Sequence, residues 1–140
     1  MTETETFETI RYTADVAVLT TDGTILLIER DWPPYKGYWA CAGGHVDVRE
    51  TSREAAAREL AEETGVHVSA DDLRQIGVFD QPDRDPRGRH VTVAYAVTVS
   101  ADTRITAGDD ARTARWWPLA ALPEQLAFDH ADILRAATDS

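Results

Sequence analysis

Apolar and polar residues alternate along residues 11–20, where Ala14, Val16 and Val18 fall on one side of an extended chain, and this period of two predicts a strand. Asp22-Gly23 is a hairpin turn signal, which makes residues 25–29 the return strand. Pro33, Pro34 and Gly37 predict a loop over residues 31–37, followed by a short apolar run at 39–42. The pattern then changes. Thr51 is a predicted N-cap, Glu54 completes a capping box, and Ala55, Ala56, Ala57, Leu60 and Ala61 favour a helix. Gly65 suits the left-handed residue that ends it. Leu60 and Ala57 are predicted to form the stripe that packs on a sheet, with Ala55 and Ala56 on the other side, one turn before an acidic face.

Beyond the helix, residues 73–80 predict a strand and residues 81–89 a polar loop with two prolines. Residues 90–99 alternate, so that Val91, Val93, Tyr95, Val97 and Val99 face one way. A loop over 101–112 contains Gly108-Asp109-Asp110, a short aromatic strand follows at 114–119, and the tail from Phe128 is predicted helical. Strands with one helix after the hairpin and one at the end predict an α+β fold, an α/β/α sandwich around a mixed β-sheet.

Glu59, Glu62 and Glu63 are spaced i, i+3 and i+4, so the predicted helix carries all three carboxylates on one face. Like charges so placed repel by roughly 0.2–0.5 kcal/mol per pair on an exposed helix. A hard divalent cation removes that penalty, and Mg²⁺ prefers carboxylate oxygens together with waters and substrate phosphates. The plain alternative is a solvated acidic face. Gly43 and Gly44 follow the apolar run at 39–42, where glycine lets a backbone group approach a ligand closely.

Composition narrows the partners. The 140 residues fit one domain, 1–140, with a proper core. A net charge of −11 and a pI near 4.6 argue against a nucleic-acid polymer but leave room for a small phosphorylated substrate met by metal and local arginines. No apolar run approaches the ~20 residues needed to cross a bilayer, so no membrane partner is expected. The acidic, polar N-terminus is unlike a secretory signal, and a cytoplasmic location is the expectation. Cys41, the single cysteine, is expected in the core. His45, His67, His90 and His130 have no zinc spacing and are expected to be surface or hydrogen-bonded residues.

Gly44, Glu50, Arg58, Glu59, Leu60, Glu62, Glu63, Gly65 and Val66 form the pattern G-x5-E-x7-R-E-L-x-E-E-x-G-V. It resembles the signature of the Nudix hydrolases at every fixed position. The resemblance implies the Nudix fold and metal-dependent hydrolysis of a nucleoside diphosphate linked to another group, with Mg²⁺ (or Mn²⁺). It also implies that Glu59, Glu62 and Glu63 hold the metal with Glu50 and the Gly44 carbonyl nearby, and that Arg58 orients a metal-binding glutamate. Glu63 or Asp110 would take the proton of the attacking water.

Outside the signature, residues 33–39, 83–89, 127–130 and 108–111, with Trp116-Trp117-Pro118-Leu119, resemble a bacterial branch of ADP-ribose pyrophosphatase-like Nudix proteins. Ala42 departs from that branch, which usually has Pro before the two glycines. ADP-ribose or a related nucleotide sugar is then the expected substrate, giving AMP and a sugar phosphate. Alternatives are a MutT-like nucleoside triphosphate pyrophosphohydrolase and a non-catalytic nucleotide-sugar sensor; the sensors of this branch carry an added DNA-binding domain, for which 140 residues leave no room. Arg84, Arg87 and Arg89 either bind phosphate through paired donors or form a solvated loop. Trp32 and Tyr35 either stack on a base or pack on the sheet edge. His130 either touches substrate or caps the last helix through Asp129, the cap being favoured. A homodimer is possible by analogy with the family.

Overall fold

The computed structural model describes residues 4–108 and 111–140. Its strands are Arg11–Thr20 (β1), Thr24–Arg30 (β2), Trp39–Ala40 (β3), Ala42–His45 (β4), Arg74–Phe79 (β5), His90–Val99 (β6) and Ala111–Pro118 (β7), with helices Ser52–Thr64 (α1) and His130–Asp139 (α2). Short 3₁₀ turns at Ala70–Asp72 and Leu119–Ala121 were not predicted by the pattern.

The sheet is mixed, as expected. β1 and β6 run parallel in register from Arg11↔His90 to Thr20↔Val99, and every other named pairing is antiparallel. The order is β3-β2-β1-β6-β5, with β4 also on β1 and β7 also on β2. A central parallel pair is covered on both faces. One face places Ala14, Val16 and Val18 with Val93, Tyr95 and Val97 beneath Ala55, Ala56 and Leu60 of α1. The opposite face places Ala17, Ala94 and Ala96 beneath Ile133, Leu134 and Ala137 of α2. β6 therefore buries both of its sides, and the small residues Ala94 and Ala96 form the second set that simple alternation overlooked.

The start and stop of α1 follow the sequence. The Thr51 hydroxyl accepts from the Glu54 N–H at 3.1 Å, the Thr51 N–H donates to the Glu54 carboxylate at 3.0 Å, and Gly65 closes the helix at φ 73°. The helix is rotated relative to expectation. Ala55 and Ala56 are fully buried and face the sheet with Leu60, so they do not flank the carboxylates; Ala57 is only partly buried. The wide apolar stripe set by Ala56 and Leu60, one turn apart, determines this rotation.

Two backbone hydrogen bonds tie the connection after β6 to the end of α1. The Thr106 N–H donates to the Thr64 carbonyl at 2.9 Å and the Gly108 N–H to the Glu63 carbonyl at 2.7 Å. They satisfy carbonyls that a helix C-terminus leaves without intrahelical partners. β7 begins at Ala111, earlier than predicted, because it pairs along β2 from Thr24↔Pro118 to Arg30↔Ala111. Among the described residues no helix is long and apolar enough to cross a membrane.

Leu60 is fully buried between α1 and the sheet. Leu60→Ala is expected to lower stability by about 2–5 kcal/mol, read as a reduced urea midpoint with an unchanged m-value.

Candidate active site

A cavity of about 400 Å³ opens between the α1 side of β4 and the start of α2. Its lining includes Glu59, Glu63, Gly43 and Gly44, which form an acidic group with their glycine seats, and Arg30, Arg84, Arg87 and Phe128, which form a basic group, together with Asp15 and His130.

The acidic wall is organised by Arg58. Its guanidinium donates to both Glu50 oxygens at 2.8 and 2.9 Å, to Glu59 at 2.8 Å, to the His45 carbonyl at 3.0 Å and to Glu62 at 3.3 Å. The Glu50 hydrogen bonds, then those of Glu59, hold Arg58 above the ordinary arginine range against the opposing effect of burial. The same contact depresses the Glu50 carboxyl. Glu59 is pressed against Gly44, where a Cβ would stand 2.6 Å from the Glu59 carboxyl carbon. Only glycine fits there. Glu63 is buried, and its carboxylate accepts the Gly43 N–H at 2.8 Å. Glu62 diverges from its neighbours: its side chain is 58% exposed and is not among the residues lining the cavity.

The basic wall comes from the loop before β6 and from β2. The Arg84 side chain is buried and paired with Asp129 through contacts of 2.9 and 2.6 Å; burial lowers its pKa, but the Asp129 hydrogen bonds outweigh that and raise it. Burial would raise the Asp85 carboxyl, but hydrogen bonds from the Arg87 side chain at 3.0 and 2.7 Å and from its N–H at 2.9 Å pull it below its ordinary value. Arg30 donates to the Pro34 carbonyl at 2.8 Å and lies 4.9 Å from the Phe128 ring centre, with Arg87 at 5.7 Å from the same ring. Burial, then the Arg87 charge, lowers the Arg30 pKa. Two cations thus converge on one ring, Arg87 while paired with Asp85.

The structure redistributes several expected roles. Arg84, Arg87 and Trp32 line the cavity, Trp32 as a 61% exposed rim residue, whereas Arg89 is turned to Glu8 at 3.2 Å. Tyr35 stacks edge-on against Tyr38 and Phe128 and is not a lining residue. Glu50 is an Arg58 partner rather than a lining residue. Asp109 and Asp110 lie outside the described residues. The cap reading of His130 is corrected: Asp129 makes no side-chain cap bond because its carboxylate is taken by Arg84. His130 is instead buried, with Nδ1 accepting the Cys41 N–H at 3.0 Å, and burial lowers its pKa. His90 is buried too, its Nδ1 3.0 Å from the Gly88 carbonyl. Cys41 is a core residue as expected, its thiol pushed up by burial and then by Asp15.

Asp15, Arg30, Asp85, His90 and Phe128 were missed by the sequence reading. For Asp15 there was a signal: a lone carboxylate inside the apolar alternation of β1. Arg30 and His90 stand at strand ends and Asp85 and Phe128 on loops, and what brings them together is tertiary folding, which local pattern does not encode.

A NUDIX domain family model matches residues 9–137. The ADP-ribose pyrophosphatase of Methanocaldococcus jannaschii is 42% identical over 118 residues, 84% of this chain and 68% of that protein. The ADPR responsive transcriptional repressor NtrR of Acinetobacter baylyi is 36% identical over 131 residues, 89% of this chain but only 52% of the repressor. Among solved structures, the Nudix domain of Shewanella oneidensis NrtR complexed with ADP ribose superposes with a TM-score of 0.86 at 29% identity, covering 95% of this chain and 89% of that one. A bifunctional NMN adenylyltransferase/ADP ribose pyrophosphatase from Francisella tularensis, complexed with AMP and a Mn ion, gives a TM-score of 0.82 at 28% identity, covering 95% of this chain and 42% of that one. With the signature, the mixed sheet and the family match in agreement, the chain belongs to the Nudix hydrolase family.

Family members use a divalent metal, and the residues present fit one. Among the described residues no three His, Cys, Asp or Glu side chains form a finished cage. Mg²⁺ does not need one, since it keeps several waters and takes one or two carboxylates plus substrate phosphates. Glu59, Glu63 and the Gly44 backbone supply hard oxygen donors at the cavity wall.

Two outcomes follow from this geometry. Gly44→Ala forces the Glu59 carboxylate to move, and Mn²⁺ affinity by titration calorimetry is expected to fall at least ~10-fold, as when a metal site loses a supporting contact. Asp85, depressed in the folded state, contributes stability that is present above its unfolded value near 4 and is lost as pH falls through the lower folded value. The melting-temperature gap between wild type and Asp85→Asn is therefore expected to narrow from pH 7 to pH 3.

Proposed function

We propose that this chain hydrolyses the diphosphate bond of a nucleoside diphosphate sugar, with ADP-ribose split to AMP and ribose 5-phosphate in the presence of Mg²⁺ (or Mn²⁺). The observation that carries the reading is that one cavity is lined both by Glu59 and Glu63 and by Arg30, Arg84 and Arg87. The first suits metal and water, the second phosphate oxygens. The similarity to the M. jannaschii ADP-ribose pyrophosphatase and to a Nudix domain complexed with ADP ribose supports the choice of compound.

Glu59, Glu63 and the Gly44 backbone would hold a divalent metal, which would supply charge neutralisation for the diphosphate and acidity for a water. The chain's own groups do the rest. Water attacks one phosphorus, the bond to the bridging oxygen breaks, and the negative charge on the leaving phosphate is met by Arg84 and Arg87. Glu63 takes the water's proton, held in place by the Gly43 N–H. Arg58 touches no reacting atom; it is a positioning residue that keeps Glu59 on Gly44. Glu62 contacts Arg58 and does not line the cavity. Trp32 on the rim offers a face for a base to stack on. No covalent intermediate is required.

The test is product analysis. ADP-ribose with Mg²⁺ is expected to yield AMP and ribose 5-phosphate, and EDTA is expected to abolish turnover until excess Mg²⁺ or Mn²⁺ is restored. Glu63→Gln is expected to lower kcat on the order of 100-fold, as loss of a base does, with a melting temperature close to wild type; more than a tenth of wild-type kcat would contradict its role. Pyrophosphate release from nucleoside triphosphates without ADP-ribose cleavage would point to MutT-type chemistry. Tight ADP-ribose binding with no products would point to sensing.

A further inference from the structure

Asp15 has no part in the reaction as derived so far, yet it is a carboxylate on the central parallel strand, with its side chain only 12% exposed and lining the cavity. Strand alternation puts it on the α2 face with Ala17, which brings it opposite His130 at the start of α2. Its Oδ2 accepts the Thr92 hydroxyl at 2.6 Å. Its Oδ1 lies so close to β4 that a Cβ on Gly43 would stand 2.3 Å away. The Asp15 Oδ1 to His130 Nε2 distance is 3.8 Å, too long for a direct hydrogen bond. Because His130 Nδ1 accepts the Cys41 N–H, the neutral ring carries its proton on Nε2. The pair is therefore an acceptor beside a donor, with a gap that one oxygen, about 2.7–2.9 Å from each, would bridge.

The chemistry of the gap selects its occupant. A phosphate oxygen accepts only and would be repelled by Asp15. A hydroxyl donates to Asp15 and accepts from His130 at once. Its place is also defined: Gly43, which backs Asp15, bonds Glu63, and Gly44 seats Glu59. Asp15, Glu59 and Glu63 therefore all meet the same pair of glycines and line the same cavity, which sets the gap beside the carboxylates assigned to the diphosphate. We propose that Asp15 and His130 together read a sugar hydroxyl adjacent to the diphosphate and make the cavity selective for ribosylated substrates. This rests on the hydrolase reading above.

The experiment compares kcat/KM of wild type and Asp15→Asn on four compounds: ADP-ribose; its 2′,3′-dideoxyadenosine analogue, hydroxyl-free on the adenosine sugar only; ADP esterified with tetrahydrofurfuryl alcohol, hydroxyl-free on the second ring only; and inosine diphosphate ribose. Wild type is expected to lose on the order of 10–100-fold on one of the two hydroxyl-free compounds, the cost of leaving a charged acceptor unpaired. Which one identifies the sugar. Asp15→Asn is expected to lose a similar factor on ADP-ribose and less than about 3-fold on that same compound. Equal losses by the variant on all four, or no loss, would overturn the inference, as would an effect erased only by inosine diphosphate ribose, which would place the pair on the base. Should Asp15→Asn not fold, equal wild-type rates on ADP-ribose and both hydroxyl-free compounds would still overturn it. If wild type splits none of the four, the hydrolase reading itself fails and the inference falls with it; wild-type turnover without hydroxyl discrimination sinks the inference alone.

Discussion

A single guanidinium holds together carboxylates that would otherwise push apart. Arg58 reaches Glu50, Glu59 and Glu62 from one position on α1 and anchors the group to β4 through the His45 carbonyl. Without a cation, the acidic face of α1 would be self-repelling. With Arg58 in place, Glu59 is fixed against Gly44 and the wall is assembled before any metal arrives. Pre-organisation of this kind matters because a carboxylate that must be gathered at the moment of binding spends side-chain entropy to do so.

The second constraint is the period of two along β1. Val16 and Val18 serve the core under α1, while Asp15 and Ala17 belong to the face under α2. One strand thereby contributes packing to one side and a charged group to the other. The parallel register with β6 sets Thr92 where it can hold Asp15, and the antiparallel register with β4 sets Asp15 opposite Gly43. The close approach between Asp15 and Gly43 has the same origin as that between Glu59 and Gly44: two consecutive glycines admit one carboxylate from each face of the sheet.

Much of this was legible in the chain itself. The strands at 11–20 and 90–99, the hairpin, the capping box at Thr51–Glu54 and the Gly65 stop are local signals, and the fold reproduces them. The helix spacing correctly brought Glu59 and Glu63 to one cavity, whereas Glu62, expected with them, is exposed and does not line it. The rotation of α1 was not, since Ala55 and Ala56 read as core only when the sheet beneath is known. The basic wall was half legible: an arginine-rich loop names its residues but not their direction. Arg89 turns to Glu8 while Arg84 and Arg87 turn inward. Arg30 and Phe128 are nearly a hundred positions apart in the chain and meet only through tertiary folding. The histidines illustrate the same limit, because the burial of His90 and His130 comes from neighbours distant in sequence.

The connection that leaves β6 is spliced by main-chain bonds onto the turn of α1 bearing Glu62 and Glu63, through Thr106 to Thr64 and Gly108 to Glu63. Those bonds belong to the peptide backbone, yet at Gly108 a Cβ would stand 1.8 Å from the Glu62 carbonyl oxygen, so both a side chain at that position and a change in the length of the connection would disturb them. Insertions or deletions there would tug on the acidic turn itself. This surface segment, remote from the cavity by residue identity, thus carries a mechanical veto over the geometry of the reaction centre.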